Sequence, residues 1–194
     1  SVGQSRLMNC YQEMFAGHGL VAAQALLTRA DIADVQGYLN IRNTLLALLD
    51  AGVVPVINEN DVVNTEEIGE DVFGDNDMLS ALVSNLVDAD LLLILTDTDG
   101  LYTADPAVDS NAELIPWVDK NNVEQVVAKL TRDEIRHPWS RGGITTKIEA
   151  ARLATSWGVE VVLARGANPK VLLDVANGRG RRTVFAATAS KMES

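Results

Sequence analysis

Hydrophobic positions recur along the first half of the chain with two alternating patterns. Apolar residues at helical spacing from Leu7 to Phe15 predict an amphipathic helix that Gly17 and Gly19 end. The same spacing over Asp34 to Asp50 predicts a second helix, stopped at Gly52. Continuous apolar runs follow each helix and predict buried strands, LVAAQALLT and VVPVIN.

The second half repeats this alternation. The apolar run ADLLLILT predicts the most hydrophobic strand, with a helix before it over MLSALVSNLV. Helices are predicted over Asn122 to Leu130 and over Lys147 to Trp157, and the strand VEVVLA follows the second. Asn168 and Pro169 predict the N-cap and first residue of a last helix, with Gly178 after its end.

Strands that alternate with helices and read as continuous apolar runs are typical of a parallel sheet with both faces covered. The sequence therefore predicts the α/β class, as a three-layer αβα sandwich with a largely parallel central sheet. A length of 194 residues, 47% of them hydrophobic, predicts one domain over residues 1–194.

Charge and cysteine content narrow the function classes. The formal net charge of −11 disfavours nucleic acid and anionic membrane surfaces as partners. No apolar run approaches the roughly 20 residues that span a bilayer. The single cysteine, Cys10, excludes an intrachain disulfide and a cysteine-based zinc site, which favours a cytoplasmic location.

Polar residues follow the second predicted strand, in the segment NEND. Asn58 and Asp61 lie just past the strand's carboxyl end, where ligands bind in open parallel sheets. An amide donates and accepts hydrogen bonds, and a carboxylate accepts from an ammonium group, so this pair suits a zwitterionic amino acid. The alternative is a polar turn capped by Asn and Asp.

A second polar cluster lies in FGDND, after an acidic excursion or hairpin predicted over residues 61–75. Asp75 or Asp77 is expected to cap the next helix. With Asn76, these carboxylates can hold a substrate and orient catalytic lysines, and the alternative is an ordinary helix cap in an acidic loop.

Two further segments suit a nucleotide. Thr96 and Asp97 lie at a strand-to-loop corner, and Gly100 lets the chain reverse, although an Asp-Gly turn is the alternative reading. In RGGITTK, residues 141–147, glycine amides and a helix N-terminus can contact phosphate oxygens. Lys147 can then stabilise the negative charge on the phosphoryl group as it is transferred. This segment is not a Walker A loop, and a flexible surface loop explains it equally well.

Four segments together resemble the amino acid kinase family: VPVINENDVV, FGDNDMLSAL, LTDTDGLYTADP and RGGITTKIEAA. NEND followed by GDND is the pattern of the branch that acts on glutamate, whereas the third segment is shared with aspartate and uridylate kinases. The resemblance implies a three-layer αβα fold and transfer of the ATP γ-phosphoryl group to the γ-carboxylate of L-glutamate. The implied product is glutamyl 5-phosphate, in the first step of proline biosynthesis.

The resemblance also implies residue roles. Glutamate is expected to contact four residues: Asn58, Asp61, Asp75 and Asn76. ATP is expected to contact Thr96, Asp97, Arg141, Gly142, Gly143, Ile144, Thr145, Thr146 and Lys147. Lys147 is the expected charge-neutralising lysine, and Asp77 is expected to orient the catalytic lysines. A carboxylate acceptor is already ionised and needs no general base, and Mg²⁺ is expected to enter with ATP through phosphate oxygens, without a dedicated protein site.

Three departures from the family pattern qualify these expectations. Family members begin with a strand and a glycine-rich loop carrying a second lysine, so the chain is expected to be truncated at its N-terminus and to lack that lysine. Arg141 and Ser140 replace the Thr and Gly of many relatives. A C-terminal RNA-binding-like domain, present in many relatives, is not expected here. The resemblance also implies a homo-oligomer. The alternative functions are those of an aspartate, N-acetylglutamate or UMP kinase, or of a catalytically incomplete nucleotide-binding module.

Overall fold

The chain folds into two compact units, residues 1–79 and residues 80–194. The structure is a computed structural model that describes residues 2–60, 76–134 and 143–188. The hairpin predicted over residues 61–75 lies outside these ranges.

The first unit is built on a parallel strand pair joined by helices. Its elements are α1 (Val2–Ala16), β1 (Val21–Leu27), α2 (Arg29–Ala33), α3 (Val35–Asp50), β2 (Val53–Glu59) and the start of α4 (Asn76–Leu86). β1 and β2 pair from Val21 opposite Val53 to Leu27 opposite Glu59. A parallel pair needs a crossover, which α2 and α3 supply, as the alternating pattern predicts.

The short helix α2 was missed by the sequence analysis although it carries a capping box. Thr28 Oγ1 accepts from the backbone N–H of Asp31 at 3.2 Å, and Asp31 Oδ2 accepts from the backbone N–H of Thr28 at 2.8 Å. Asp34 then caps α3 by accepting from Gly37 N at 2.9 Å. A Cβ on Gly37 would collide with the carbonyl oxygen of Asp31, so this tight double helix start requires glycine.

The second unit contains a four-stranded sheet. Its strands are β3 (Leu91–Thr96), β4 (Trp117–Val118), β5 (Glu160–Arg165) and β6 (Thr183–Phe185), in the order β3-β5-β6-β4. Its remaining helices are α5 (Val123–Glu134), α6 (Gly143–Ser156) and α7 (Val171–Ala176). β3 pairs with β5 and β4 with β6 in parallel, whereas β5 and β6 are antiparallel. The prediction of a mostly parallel α/β fold is confirmed.

Both faces of β5 are buried, which explains its uninterrupted apolar sequence. Val161 and Leu163 pack in one core cluster with three alanines of α6, namely Ala150, Ala151 and Ala154. Val162 and Ala164 point to the other face and pack with Val171 and Val175 of α7. Helices therefore cover the sheet of this unit on both faces.

The last helix starts later than predicted. Lys170, and not Asn168, is the N-cap of α7, and Pro169 lies in the preceding turn. Asn168 makes different bonds, because its Oδ1 accepts from Lys170 N and its Nδ2 donates to Asp174 Oδ2, both at 3.0 Å. Gly178, with φ of 67°, follows the helix as predicted. Among the described helices, none is long and apolar enough to cross a membrane.

Candidate active site

In the first unit, Asn58 lies at the carboxyl end of β2, as its penultimate residue and not just past the strand as predicted. Its side chain is half-buried, and both ends of the amide are engaged. Oδ1 accepts from the backbone N–H of Glu59 at 2.9 Å, and Nδ2 donates to Gln4 Oε1 of α1 at 3.2 Å. Asn58 is therefore held in one orientation by two separate segments of this unit.

The acidic cluster is described only from the start of α4 onwards. The helix begins at Asn76, which is exposed, and Asp77 lies within its first turn. Asp77 is therefore not the N-cap, which corrects one of the two predicted caps. A carboxylate in the first turn is still favourable because it faces the positive end of the helix dipole. Asp61 and Asp75 lie outside the described residues, so their predicted roles stay predictions.

In the second unit, Thr96 ends β3 and Asp97 begins the following loop, as predicted. Thr96 Oγ1 donates to Asp97 Oδ1 at 3.0 Å, and Asp97 is exposed. Thr96 pairs in register with Arg165, the last residue of β5. Thr96 and Arg165 thus lie at the carboxyl ends of two neighbouring parallel strands, β3 and β5, where α/β folds bind ligands.

An ion cluster around Asp99 supports this loop and was missed by the sequence analysis. Asp99 Oδ1 accepts from Arg165 Nε at 3.0 Å, and Oδ2 accepts from the Tyr102 hydroxyl at 3.0 Å. Asp99 Oδ2 also forms an ion pair with Arg181 Nε at 3.0 Å. Arg181 belongs to the largely exposed GRGRR segment, residues 178–182, which precedes β6. Its ion pair with Asp99 ties the Asp99 loop to that segment.

The cluster sets the ionisation of Asp99. Burial by itself would raise the pKa of this carboxyl, but the hydrogen bond from Tyr102 and the charges of Arg165 and Arg181 outweigh burial. The pKa of Asp99 is therefore held below its usual value. The carboxylate stays ionised throughout the neutral range and holds both arginines.

We expect Asp99→Asn to lower the free energy of unfolding at pH 7 by about 1 kcal/mol, because the carboxylate accepts two hydrogen bonds and also pairs with the charge of Arg181. The difference should shrink as the pH falls below about 4, because the carboxyl of the unfolded chain then binds a proton while the lowered pKa keeps the folded carboxyl ionised. Urea midpoints measured from pH 7 to pH 3 check this. Glu124→Gln, which breaks the exposed Glu124–Arg152 ion pair at 2.8 Å, is the control and should change little. An equal loss at every pH would contradict the assignment.

A buried threonine fixes the far end of the same loop. Thr183 is fully buried, and its Oγ1 accepts from Leu101 N at 2.8 Å while donating to Ile115 O at 2.7 Å. A Cβ on Gly100 would lie 2.7 Å from Thr183 N, so only glycine permits this approach. The predicted chain reversal at Gly100 thus has a packing reason.

The predicted phosphate segment is helical earlier than expected. Gly143, Ile144, Thr145 and Thr146 form the first turn of α6 and Lys147 begins the second, so the loop predicted to run to Lys147 is corrected on this point. The helix starts here because Ile144 and Ile148 pack on the core of this unit. The first-turn N–H groups have no helical acceptor of their own, so this end of α6 carries positive potential. Arg141 and Gly142 lie outside the described residues.

The described ATP candidates lie at one end of the sheet in the second unit. α6 packs against β5, and only Trp157, Gly158 and Val159 connect them. A connection this short makes α6 and β5 run in opposite directions, so the N-terminus of α6 lies towards the carboxyl end of β5. With about 21 Å for the helix and 20 Å for the strand, the two ends come level. Thr96, Asp97 and the first turn of α6 therefore share one edge.

Known proteins resemble this chain along its whole length. It is 50% identical over 194 residues to a glutamate 5-kinase of Dehalococcoides mccartyi, covering 100% of the chain and 51% of the relative. It is 50% identical over 185 residues to that of Moorella thermoacetica, covering 95% and 47%. It is 44% identical over 194 residues to that of Escherichia coli O1:K1 / APEC, covering 100% and 51%. The chain spans about half the length of the curated relatives it matches.

Solved structures share the fold. An isopentenyl phosphate kinase superposes with a TM-score of 0.62 at 20% identity, over 94% of this chain and 66% of that one. The UMP kinase of Ureaplasma parvum gives a TM-score of 0.53 at 14% identity, over 75% and 52%. At such identities the likeness establishes the fold alone, and it confirms the predicted amino acid kinase-like architecture.

The family assignment follows from the sequence match. The family model described as "Amino acid kinase family" matches residues 1–165, which is most of the 194 residues. The chain belongs to the amino acid kinase family.

Proposed function

We propose that the chain is the catalytic part of a glutamate 5-kinase, an ATP-dependent phosphotransferase that phosphorylates the γ-carboxylate of L-glutamate. The observation that carries this proposal is the identity of 44–50% to proteins of that name over 95–100% of the chain. The positions of Asn58 and of the α6 first turn, each at a strand or helix end suited to ligands, support it.

The proposed reaction is a direct displacement at phosphorus. A γ-carboxylate oxygen of glutamate forms a bond to the γ-phosphorus of ATP, the bond from that phosphorus to the β–γ bridging oxygen breaks, and ADP leaves with the electron pair. The acceptor is ionised at neutral pH, so no residue has to remove a proton. Positioning and charge stabilisation then supply most of the rate acceleration.

On the nucleotide side, we assign ATP to the edge formed by Thr96, Asp97 and the first turn of α6. The backbone N–H groups of a helix N-terminus and the helix dipole favour phosphate oxygens there. Lys147 directly follows that first turn, where an ammonium group can offset the charge that shifts onto the leaving phosphate. Mg²⁺ is proposed as part of the ATP substrate, held chiefly by phosphate oxygens.

On the acceptor side, we assign glutamate to Asn58, Asp61, Asp75 and Asn76. Amides can donate to the carboxylates of the amino acid, and the aspartates can accept from its ammonium group. Asp77 is proposed to orient the catalytic lysines.

Three further properties belong to the proposal. The product, glutamyl 5-phosphate, would enter proline biosynthesis. A homo-oligomer is proposed from the family resemblance, and a cytoplasmic location from the single cysteine.

A substrate panel tests the proposal in the full-length protein. Glutamate, aspartate, N-acetylglutamate and UMP are each offered with ATP and magnesium, ADP is followed, and acyl phosphates are trapped with hydroxylamine. Glutamate is expected to give the highest kcat/KM together with a trapped hydroxamate. A higher kcat/KM for any other acceptor would overturn the assignment.

A further inference from the structure

Gln4 carries a buried polar atom that lacks a partner. The residue lies in the first turn of α1, and its Oε1 accepts from Asn58 Nδ2 at 3.2 Å. Its Nε2 is buried and makes no hydrogen bond among the residues that the structure describes. Native proteins pair nearly all buried donors with protein, water or ligand, so this amide has a place for an acceptor.

The acceptor belongs at the carboxyl end of the parallel strand pair. Asn58 is the penultimate residue of β2, and the bond to Asn58 brings Gln4 to that end. The Asn58 amide is engaged through Oδ1 with Glu59 N and through Nδ2 with Gln4, so its orientation depends on Gln4. The two amides are joined by one hydrogen bond, and their remaining N–H groups can donate to acceptor oxygens.

We propose that Gln4 is a further substrate-binding residue, whose Nε2 donates to a carboxylate oxygen of the amino acid while its Oε1 orients Asn58. This inference rests on the proposed function, which supplies a ligand with two carboxylates. A hydrogen bond to a charged acceptor is stronger than one to a neutral acceptor, so the contact favours an acidic ligand.

Two variants of the full-length protein separate binding from orientation. Gln4→Glu keeps an oxygen that accepts from Asn58 but replaces the donor by a negative oxygen, whereas Gln4→Ala removes both. We expect each to raise the KM for glutamate about tenfold or more at pH 8 and to leave the KM for ATP within about twofold. Gln4→Glu should be affected at least as strongly as Gln4→Ala, because its carboxylate repels the substrate.

A matched control comes from a second Gln–Asn amide pair. Gln36 Nε2 donates to Asn40 Oδ1 at 3.0 Å on the exposed surface of α3, in the same unit. Gln36→Ala should leave both KM values unchanged. Gln4→Asn, which keeps the amide but shortens its reach, is measured as well and should show the same selective rise, so the test does not depend on the more disruptive changes.

An unchanged glutamate KM in Gln4→Glu would overturn the inference and leave Gln4 with an orienting role alone. A parallel rise in both KM values, or a melting temperature lowered without a selective effect on glutamate, would also overturn it. The proposed function fails separately, as an absence of glutamate-dependent ADP from the unsubstituted protein.

Discussion

Replacing Lys147 by alanine in the full-length protein is expected to lower kcat for glutamate-dependent ADP formation by about 10²- to 10³-fold. Lys147 directly follows the first turn of α6, which lies at the same edge as Thr96 and Asp97. Its ammonium group would act most strongly as charge moves to the leaving phosphate. The loss should therefore fall on kcat more than on the KM for glutamate, and initial rates at saturating substrates measure it.

Lys129→Ala is the matched control for this change. Lys129 is an exposed lysine of α5 in the same unit, so the substitution removes one positive charge from a helix without touching the proposed site. It should leave kcat within about twofold. If Lys147→Ala also kept kcat within that range while remaining folded, the charge-stabilising role of Lys147 would be wrong.

The largest effect on stability is expected from Thr183→Val. The change preserves shape but removes the hydroxyl that joins the buried N–H of Leu101 to the partly buried carbonyl of Ile115, and it leaves both backbone groups without this partner. Each such group costs about 1–3 kcal/mol, so the free energy of unfolding should fall by about 2–4 kcal/mol. Urea unfolding at pH 7 measures the change.

Two comparisons isolate the hydroxyl of Thr183. Thr183→Ser keeps the donor and acceptor and should recover most of the stability. Thr103→Val removes the more exposed bond in which Thr103 Oγ1 accepts from Glu113 N at 3.0 Å, and it should cost less than about 1 kcal/mol. Equal losses in Thr183→Val and Thr183→Ser would show that the methyl packing matters and the hydrogen bonds do not.

The sequence predicted most of the fold because long elements carry a repeated apolar pattern. β5 is buried on both faces, so its run VEVVLA was recognisable without any structural information. β4 and β6 were missed because they are only two and three residues long, and strand pairing rather than periodicity creates them. α6 begins at Gly143 and not at Lys147 as the sequence predicts, because the packing of Ile144 on the core outweighs the preference of the glycines for a loop.

The sequence predicted the positions of candidate site residues that directly follow an apolar run, but not the contacts between residues far apart in the chain. Asn58, Thr96 and Asp97 each follow an apolar run, so their place at a strand end could be read directly. The Asp99 cluster could not, because Arg165 is separated from Asp99 by 66 positions and is brought there by the pairing of β3 with β5. Gln4 reaches Asn58 across 54 positions for a similar reason, through the packing of α1 in the first unit.

Isotope transfer tests the central claim most directly. Full-length protein is given ATP, magnesium and L-glutamate labelled with ¹⁸O in both γ-carboxylate oxygens, and hydroxylamine then cleaves the product at its acyl carbon. Direct attack of the carboxylate on phosphorus predicts that each phosphate released with the γ-hydroxamate carries one ¹⁸O atom from glutamate. Phosphate without ¹⁸O, formed while ADP accumulates, would mean that water and not glutamate accepts the phosphoryl group, and would contradict the account.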